Sequence, residues 1–248
     1  MTVNITAIIP VYNHGLPVGE VVHALRGHGL PVLLVDDGSE PSCALVLDVL
    51  AREDGVTLHR LPTNQGKGCA MMAGLRVAFA QGYSHALQID ADGQHDTGDV
   101  PRFVAQALAW PQSLICGVPI YDDSVPKGRL YGRYATHIWV WINTLSFDIR
   151  DSMCGFRLYP LAPTVAVLDT AHIGRRMVYD TEIAVRLHWR GTRVVNLPTH
   201  VHYPEGGRSH FRMLQDNLLI SAMHARLFFG MLLRLPLLLA RKLRTRPA

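Results

Sequence analysis

Acidic side chains follow two apolar runs of the sequence, and their types suit metal and phosphate chemistry. Asp36 and Asp37 end one run, and Asp90, Asp92 and Gln94 follow another, with their oxygen-bearing side chains at alternate positions. Hard cations such as magnesium and manganese take oxygen ligands, and substrate phosphates commonly complete their shell. The pattern therefore predicts a divalent metal that bridges a diphosphate, with a solvated Asp/Gly turn as the alternative.

Regular secondary structure must bring these two acidic groups together. In the first half, β-branched apolar runs alternate with longer stretches whose apolar residues recur every three or four positions, which is typical of βα units around a mainly parallel sheet. Ligands bind beyond the carboxyl ends of strands in such sheets, so we expect both acidic groups in one crevice. The predicted strands are Ile5–Pro10, Pro31–Asp36, Val56–Leu61, His85–Asp90 and Ser113–Gly117, and the predicted helices are Leu16–Gly27, Cys43–Arg52, Gly68–Gln81 and Val100–Trp110.

The second half has a less regular pattern. The segment Pro119–Arg129 is rich in Pro, Gly, Asp and Lys and predicts a mobile loop. The remaining predictions are a helix over Tyr131–Phe147, a turn at Met153–Phe156, a helix that begins near Asp180, a strand at Arg193–Leu197 and a loop over Thr199–His210.

Composition excludes several classes of protein. The chain has 248 residues, of which 48% are hydrophobic and 18% charged, with four cysteines, so it is neither disordered, collagen-like nor a disulfide scaffold. The cysteines are widely spaced, which favours free thiols in a reducing compartment over a structural zinc site. The first ten residues lack the pattern of a signal peptide. We therefore expect a cytoplasmic protein.

The C-terminal region combines apolar and basic residues. Residues Leu214–Leu239 predict a long apolar helix, although His224, Arg226 and Arg234 interrupt it and Pro236 is expected to break it. Uninterrupted apolar runs are shorter than the roughly 20 residues that a bilayer requires, so we expect a helix that lies on the membrane surface or packs on the core. Because the basic residues alternate with Leu, Phe and Met, an anionic membrane is a better partner than nucleic acid.

The loop Asn64-Gln-Gly-Lys-Gly68 stands at the start of a predicted helix. Its backbone N–H groups and Lys67 could therefore face phosphate oxygens. The spacing matches neither a P-loop nor a dinucleotide-binding fingerprint. An ordinary glycine-rich helix start remains the alternative.

Four segments in this order and spacing resemble family-2 glycosyltransferases of GT-A fold: Ile9-Pro-Val-Tyr-Asn13, Val35-Asp-Asp-Gly-Ser39, Asn64-Gln-Gly-Lys-Gly68 and Asp90-Ala-Asp-Gly-Gln-His95. Asp151-Ser-Met-Cys-Gly-Phe-Arg-Leu-Tyr159 and Tyr179-Asp-Thr-Glu-Ile183 extend the resemblance to about residue 210. The pattern is most similar to polyprenyl- and dolichyl-phosphate sugar transferases and to bacterial enzymes that glycosylate lipids or pigments. It implies a GT-A domain over residues 1–210, with a nucleotide-sugar half (1–117) and an acceptor half (118–210), and an amphipathic basic helical tail over 211–248.

The resemblance also implies roles for individual residues. It implies an inverting reaction with a nucleotide-sugar donor. A UDP-sugar is the favoured donor, and a GDP-sugar is the alternative. Asp37 would bind the base, and a glycine-serine loop that contains Arg208 would close over the diphosphate. The donor-binding residues would be Pro10, Tyr12, Asn13, Asp36, Asp37, Lys67, Asp90 and Arg208, and the metal ligands Asp90, Asp92 and Gln94.

The catalytic base is less clearly marked. Tyr179-Asp180 stands where many family members have a Glu-Asp pair, so Asp180 is the first candidate, with Asp151 and Glu182 as further ones. The alternatives are an acid stabilised by the helix dipole for Asp180 and an ion-paired acid for Glu182. A strong base would indicate a hydroxyl acceptor, because a phosphate acceptor needs none.

Together these features predict an inverting, metal-dependent glycosyltransferase with a lipid or amphiphilic acceptor, attached peripherally to the cytoplasmic membrane face. One alternative is a non-catalytic nucleotide-sugar-binding partner in a membrane complex. Another is a sugar-1-phosphate nucleotidyltransferase, but its Gly/Arg-rich loop should follow the first strand, where this sequence has Pro-Val-Tyr-Asn-His. The intact Asp90/Asp92 pair favours the transferase.

Overall fold

The computed structural model describes residues 2–120, 127–202 and 213–244, and these form a seven-stranded sheet with helices on both faces. The strands are β1 (Ile5–Val11), β2 (Val32–Asp36), β3 (Val56–Arg60), β4 (His85–Gln88), β5 (Leu114–Ile120), β6 (Arg157–Pro160) and β7 (Val194–His200). The helices are α1 (Pro17–Gly27), α2 (Pro41–Leu50), α3 (Lys67–Ala80), α4 (Val100–Ala109), α5 (Lys127–Thr144), α6 (Leu161–Thr170), α7 (Tyr179–Trp189) and α8 (Met213–Arg244).

The sheet has the order β3-β2-β1-β4-β6-β5-β7. Strand β6 runs antiparallel to both of its neighbours, and every other pair is parallel. The predicted α/β fold with a mostly parallel sheet is therefore confirmed. Since β1 lies between β2 and β4, the acidic groups that follow those two strands meet at one edge of the sheet.

Two hydrophobic cores lie on opposite faces of the sheet. Side chains alternate along a strand, so Ile8 packs on one face and Ile9 on the other. The Ile9 face is covered by α1, α2 and α4. The Ile8 face is covered by α3, α5, α6, α7 and α8, which places the C-terminal helix in the main core.

Two elements of the second half were missed. The sequence predicts a turn at Met153–Phe156 but no strand directly after it, and β6 and α6 occupy residues 157–170. The four residues of β6 are Arg-Leu-Tyr-Pro, whose arginine and proline hide the strand pattern. The predicted loop at Pro119–Arg129 is only partly described: Pro119 lies in β5, α5 already begins at Lys127, and residues 121–126 are outside the described part.

Helix α8 continues past Pro236, so the predicted break is wrong. A proline in a helix removes one N–H donor, but the chain on both sides is held by packing, since Met231 and Leu238 are buried in the core. By length and composition, Leu214–Leu243 could cross a membrane: an 18-residue window of it has a mean hydropathy of 1.5, and 22% of that window is buried. Its inner face packs on the domain from Met223 to Leu238, a distance of about 22 Å.

Candidate active site

Asp36, the last residue of β2, is used inside the fold. Its carboxylate is fully buried, accepts a hydrogen bond from Arg60 Nε at 2.7 Å and another from the Ser39 backbone N–H at 2.9 Å. Arg60 ends the neighbouring strand β3. Asp36 thus connects β2 to β3 and to the turn before α2.

Asp37 holds the glycine-rich loop before α3. Its two carboxylate oxygens each accept a backbone N–H, from Gln65 and from Gly66, both at 2.8 Å. Burial raises the pKa of Asp37, and these two hydrogen bonds oppose the rise. Because these N–H groups are bound to Asp37, they do not face a phosphate as the sequence suggested.

The loop is also fixed from the opposite side. Gly66 has φ of +98°, a conformation that favours glycine, and a Cβ there would lie 2.7 Å from Arg176 Cγ. A Cβ at Gly68 would lie 2.7 Å from the Gly174 carbonyl oxygen. The loop is thus clamped between Asp37 and the segment before α7, and this clamp fixes the backbone of Lys67.

The loop that follows β1 is hydrogen-bonded to the loop that follows β2. Asn13 has φ of +58°, its N–H donates to Ser39 Oγ at 3.1 Å, and its Oδ1 accepts from the Glu40 N–H at 2.8 Å. Pro10 is buried in β1 beside Val35 of β2. Tyr12 lies between Pro10 and Asn13 and is half-buried. The three residues therefore lie at the carboxyl end of β1, beside the acidic edge.

Lys67 is the centre of the site. Its Nζ lies 2.7 Å from Asp90 Oδ1 and 3.0 Å from Asp180 Oδ2. The side chain of Lys67 is 18% exposed. Burial disfavours the charged ammonium, but the two carboxylates outweigh this effect and raise the pKa of Lys67. Burial likewise disfavours the Asp90 carboxylate, yet Lys67 brings the pKa of Asp90 below its usual range.

Asp180 is oriented by a buried polar network. It lies in the first turn of α7, and its Oδ1 accepts from Gln88 Nε2 at 2.9 Å. Gln88 in turn accepts from the Tyr159 hydroxyl at 2.8 Å, and Arg157 donates to the backbone carbonyl of Asp180. Side chains of the paired strands β4 and β6 thus hold Asp180 in place and leave its Oδ2 directed at Lys67.

Asp92 and Gln94 lie in a turn that is tied to the end of β7. Asp92 Oδ1 accepts from the Gln94 N–H at 3.1 Å, and the Gln94 carbonyl accepts from the His202 N–H at 2.9 Å. Burial and the neighbouring Asp90 raise the pKa of Asp92. His95 lies 3.8 Å from Asp90 Oδ2, with its ring centroid 5.5 Å from that of Phe156.

The carboxylates at this edge fit a divalent cation that takes its remaining ligands from substrate and water. Asp90 and Asp92 offer carboxylate oxygens, and no cluster of three His, Cys, Asp or Glu side chains around one point occurs within the described ranges. Two carboxylates suit Mg²⁺ or Mn²⁺, whose other positions are filled by phosphates and water. Gly155 provides the space, since a Cβ there would lie 2.3 Å from Asp90 Oδ2.

Asp151 is committed to a different network. Arg133 of α5 donates to both of its oxygens, at 2.6 and 2.7 Å, and the N–H groups of Met153 and Cys154 donate at 2.8 and 2.7 Å. Burial disfavours the charge, but His137, 3.4 Å away, and Arg133 hold the pKa of Asp151 below its usual range. Such a carboxylate is a weak base, so Asp151 connects α5 to the turn before β6.

Glu182 is fully buried and joins three segments. It accepts from Arg186 one turn further along α7 and from the Gly174 N–H at 2.9 Å. Arg226 of α8 donates to the same carboxylate at 2.7 Å. This arrangement matches the ion-paired alternative for Glu182. Arg208, the remaining predicted donor-binding residue, lies outside the described residues.

Sequence reasoning missed Gln88, Tyr159 and Gly155. Gln88 and Tyr159 meet only because β6 pairs with β4, and β6 was not predicted. Gly155 lies in one of the motifs that carry the family resemblance. Its proximity to Asp90, however, arises only in the folded chain, because the two residues are 65 positions apart in sequence. A polar Gln at the end of an apolar strand was the one signal available.

The fold and the acidic edge define an α/β protein with a ligand crevice at the carboxyl ends of its strands. The family model "Glycosyl transferase family 2" matches residues 6–170. The chain belongs to this family, and the glycosyltransferase class predicted from its sequence is confirmed.

Individual relatives agree with this assignment. Polyprenol monophosphomannose synthase of Mycolicibacterium smegmatis is 35% identical over 77% of this chain and 74% of its own length. Undecaprenyl-phosphate mannosyltransferase of Micrococcus luteus is 27% identical over 78% of this chain and 82% of its own. Glucosyl-3-phosphoglycerate synthase of Mycobacterium tuberculosis, solved with Mn²⁺ and UDP-glucose, superposes with a TM-score of 0.65 at 16% identity, over 93% of this chain and 78% of that one. The GT-A fold is thereby confirmed.

Proposed function

We propose that this protein is an inverting, metal-dependent glycosyltransferase that moves a sugar from a UDP-sugar to a lipid or amphiphilic acceptor. A GDP-sugar is the second candidate donor. The observation that carries the proposal is the cluster of Lys67, Asp90 and Asp180 at the carboxyl edge of the sheet, with Asp92 beside it. Support for the UDP-sugar comes from the structural neighbour, which was solved with UDP-glucose and Mn²⁺.

The donor would lie across the edge formed by β1, β2 and β4. Pro10, Tyr12 and Asn13 would line the nucleotide pocket, and Asp37 would act on the base side through the loop that it holds. Asp90 and Asp92 would hold a divalent cation, with Gln94 as a third ligand. When bound, this cation supplies positive charge that stabilises the departing nucleoside diphosphate. Lys67 contributes a further positive charge at the same place.

With a hydroxyl acceptor, Asp180 would act as the base that deprotonates it. The Gln88 amide binds Oδ1 and fixes the orientation of the carboxylate, so Oδ2, which faces Lys67, is the oxygen that would accept the proton. An inverting transfer needs such a base for a hydroxyl acceptor. A phosphate acceptor is already ionised and needs none, so the sensitivity to Asp180 separates the two acceptor classes.

The names of the relatives favour a lipid-phosphate acceptor, since both curated relatives carry a polyprenol in their names. The outer face of α8 supports a position at a membrane surface. Exposed apolar side chains on it are Leu214, Leu218, Leu219, Phe229, Leu232, Leu233, Leu237, Leu239 and Leu243. Because the inner face packs on the domain, we propose that this helix lies on a membrane surface rather than across the membrane, with the cytoplasmic face as the proposed side.

The test is a transfer assay with labelled UDP- and GDP-sugars, Mn²⁺, and polyprenyl-phosphate or glycolipid acceptors. We expect product with one donor only, and none with Asp92→Asn. The control is Asp169→Asn, which changes a 58%-exposed acid that pairs with Arg76. Absence of transfer with every donor, despite nucleotide binding, would instead favour a non-catalytic nucleotide-sugar-binding partner.

Asp180→Asn separates the acceptor classes in the same assay. With a hydroxyl acceptor, loss of a general base should lower kcat by about 10²- to 10⁴-fold. With a phosphate acceptor, kcat should change far less. A variant that retains full activity on a hydroxyl acceptor would remove Asp180 as the base.

A further inference from the structure

The ammonium group of Lys67 pairs with a carboxylate that is also a proposed metal ligand. It lies 2.7 Å from Asp90, the first proposed metal ligand, and 3.0 Å from Asp180, the proposed base. A divalent cation on Asp90 would repel a neighbouring ammonium and compete with it for the same oxygens. In this structure, therefore, Asp90 is already neutralised by a group of the chain itself.

The lysine has the freedom to move. Its backbone is fixed, because Asp37 binds the two preceding N–H groups and Gly66 packs against Arg176. Its side chain is a four-carbon stem with rotatable bonds and a compact charge. The ammonium can thus change partner without any movement of α3.

We propose that Lys67 is an exchangeable counter-ion. Without nucleotide its ammonium group pairs with Asp90, and when nucleotide and metal bind together it pairs with the donor diphosphate instead. The proposal rests on the proposed function. Without nucleotide, the ammonium opposes the metal at Asp90. With nucleotide, the diphosphate receives the ammonium, and Asp90 becomes available to the metal.

The exchange makes metal and nucleotide binding cooperative by a route that depends on Lys67. Coupling between two ligands is reciprocal, so nucleotide should raise the affinity for metal by the factor by which metal raises the affinity for nucleotide. Direct contact between the metal and the phosphates also produces coupling. The effect specific to Lys67 is that its charge weakens the binding of metal alone.

The experiment measures Mn²⁺ binding by electron paramagnetic resonance, with and without UDP, for the wild-type chain, Lys67→Gln and Lys67→Arg. We expect Lys67→Gln to bind Mn²⁺ alone about tenfold more tightly than wild type and to bind UDP in the presence of Mn²⁺ about tenfold more weakly. Lys67→Arg keeps the charge and should keep weak binding of Mn²⁺ alone. Arg76→Gln is the control, because Arg76 forms an exposed ion pair with Asp169 and lies about 13 Å further along α3 than Lys67.

The outcomes are distinct. Equal or weaker binding of Mn²⁺ alone by Lys67→Gln, while wild type binds UDP and Mn²⁺ together, overturns the exchange and leaves the proposed function standing. A wild-type chain that binds no UDP under any condition overturns both. Circular dichroism establishes that each variant is folded, and Lys67→Met, which keeps the length of the apolar stem, replaces Lys67→Gln if the latter is not.

Discussion

Three acids that the sequence marked as site residues have their carboxylates engaged by arginines. Asp36 binds Arg60, Asp151 binds Arg133 and Glu182 binds both Arg186 and Arg226. The acids that follow strands pointed to Asp90 and Asp92, and the family resemblance pointed to Asp180; all three stay predictions as site residues. The sequence does not show which acids have an arginine opposite, because most of these partners are distant along the chain.

Gly155 gives a prediction at a single position. A Cβ there would lie 2.3 Å from Asp90 Oδ2, so Gly155→Ala must displace the carboxylate. We expect the affinity for UDP in the presence of Mn²⁺ to fall by about tenfold or more, as determined by calorimetric titration. Gly19→Ala on α1, where a Cβ meets nothing within 4 Å, should bind as wild type does. Unchanged affinity in Gly155→Ala would show that Asp90 does not hold the metal.

At the scale of elements, Glu182 ties α7 to α8. Removal of one partner from a buried ion pair leaves the other charges unpaired. Glu182→Gln should therefore lower the free energy of unfolding by about 3 kcal/mol, while the kcat of the folded enzyme stays unchanged. Chemical denaturation and the transfer assay measure the two effects. A large loss of kcat with normal stability would restore Glu182 as a catalytic residue.

The contact between α5 and α8 contains a buried histidine. Burial lowers the pKa of His224 to about 4 from an ordinary value of 6.5, and its ring stacks on Trp139. Between these pH values the unfolded chain binds a proton that the folded chain does not, so stability falls as the pH drops through this range. His224→Gln should show a smaller loss of Tm between pH 7 and pH 5 than wild type.

The matched control for this prediction is His28→Gln, at an exposed histidine just after α1, which should keep the wild-type pH dependence. An identical pH dependence in wild type and His224→Gln would contradict a neutral buried His224.

Elements with clear periodicity could be predicted, whereas elements defined by their neighbours could not. The five strands and four helices of the first half follow from alternating apolar runs, and all are present. Strand β6 and helix α6 were missed, because β6 gains its stability from pairing with β4 and β5 rather than from its own residues. This omission also hid Gln88 and Tyr159, which support Asp180.

At the scale of the whole molecule, α8 has two faces with different roles. The sequence left open whether the helix packs on the core or lies on a membrane, and the structure shows core packing for the inner face. Its outer face stays apolar and exposed, with α5 contributing the exposed Ile138 and Trp139 beside it. The division of the chain at residue 210 stays a prediction.

This outer face predicts binding to anionic vesicles. Leu233 and Leu237 are 84% and 51% exposed, so a double change to Asp should leave the fold intact. We expect the variant to lose at least tenfold in the fraction that sediments with phosphatidylglycerol vesicles, because two apolar groups no longer enter the interface and two negative charges face the lipid. Leu45→Asp on α2, which changes a 67%-exposed leucine, is the control. Equal sedimentation of all variants would contradict a membrane role for α8.

The proposed function requires Asp90 and Asp92 to bind a nucleotide donor through a divalent metal. The most direct measurement is a calorimetric titration of UDP into the wild-type chain and Asp92→Asn, each with and without Mn²⁺. We expect wild type to bind UDP in a manner that depends on Mn²⁺ and is lost in Asp92→Asn, while the melting temperature of the variant stays close to that of wild type. Binding of UDP that is equally tight without Mn²⁺, or unaffected by Asp92→Asn, would contradict a metal-bridged donor site at these two residues.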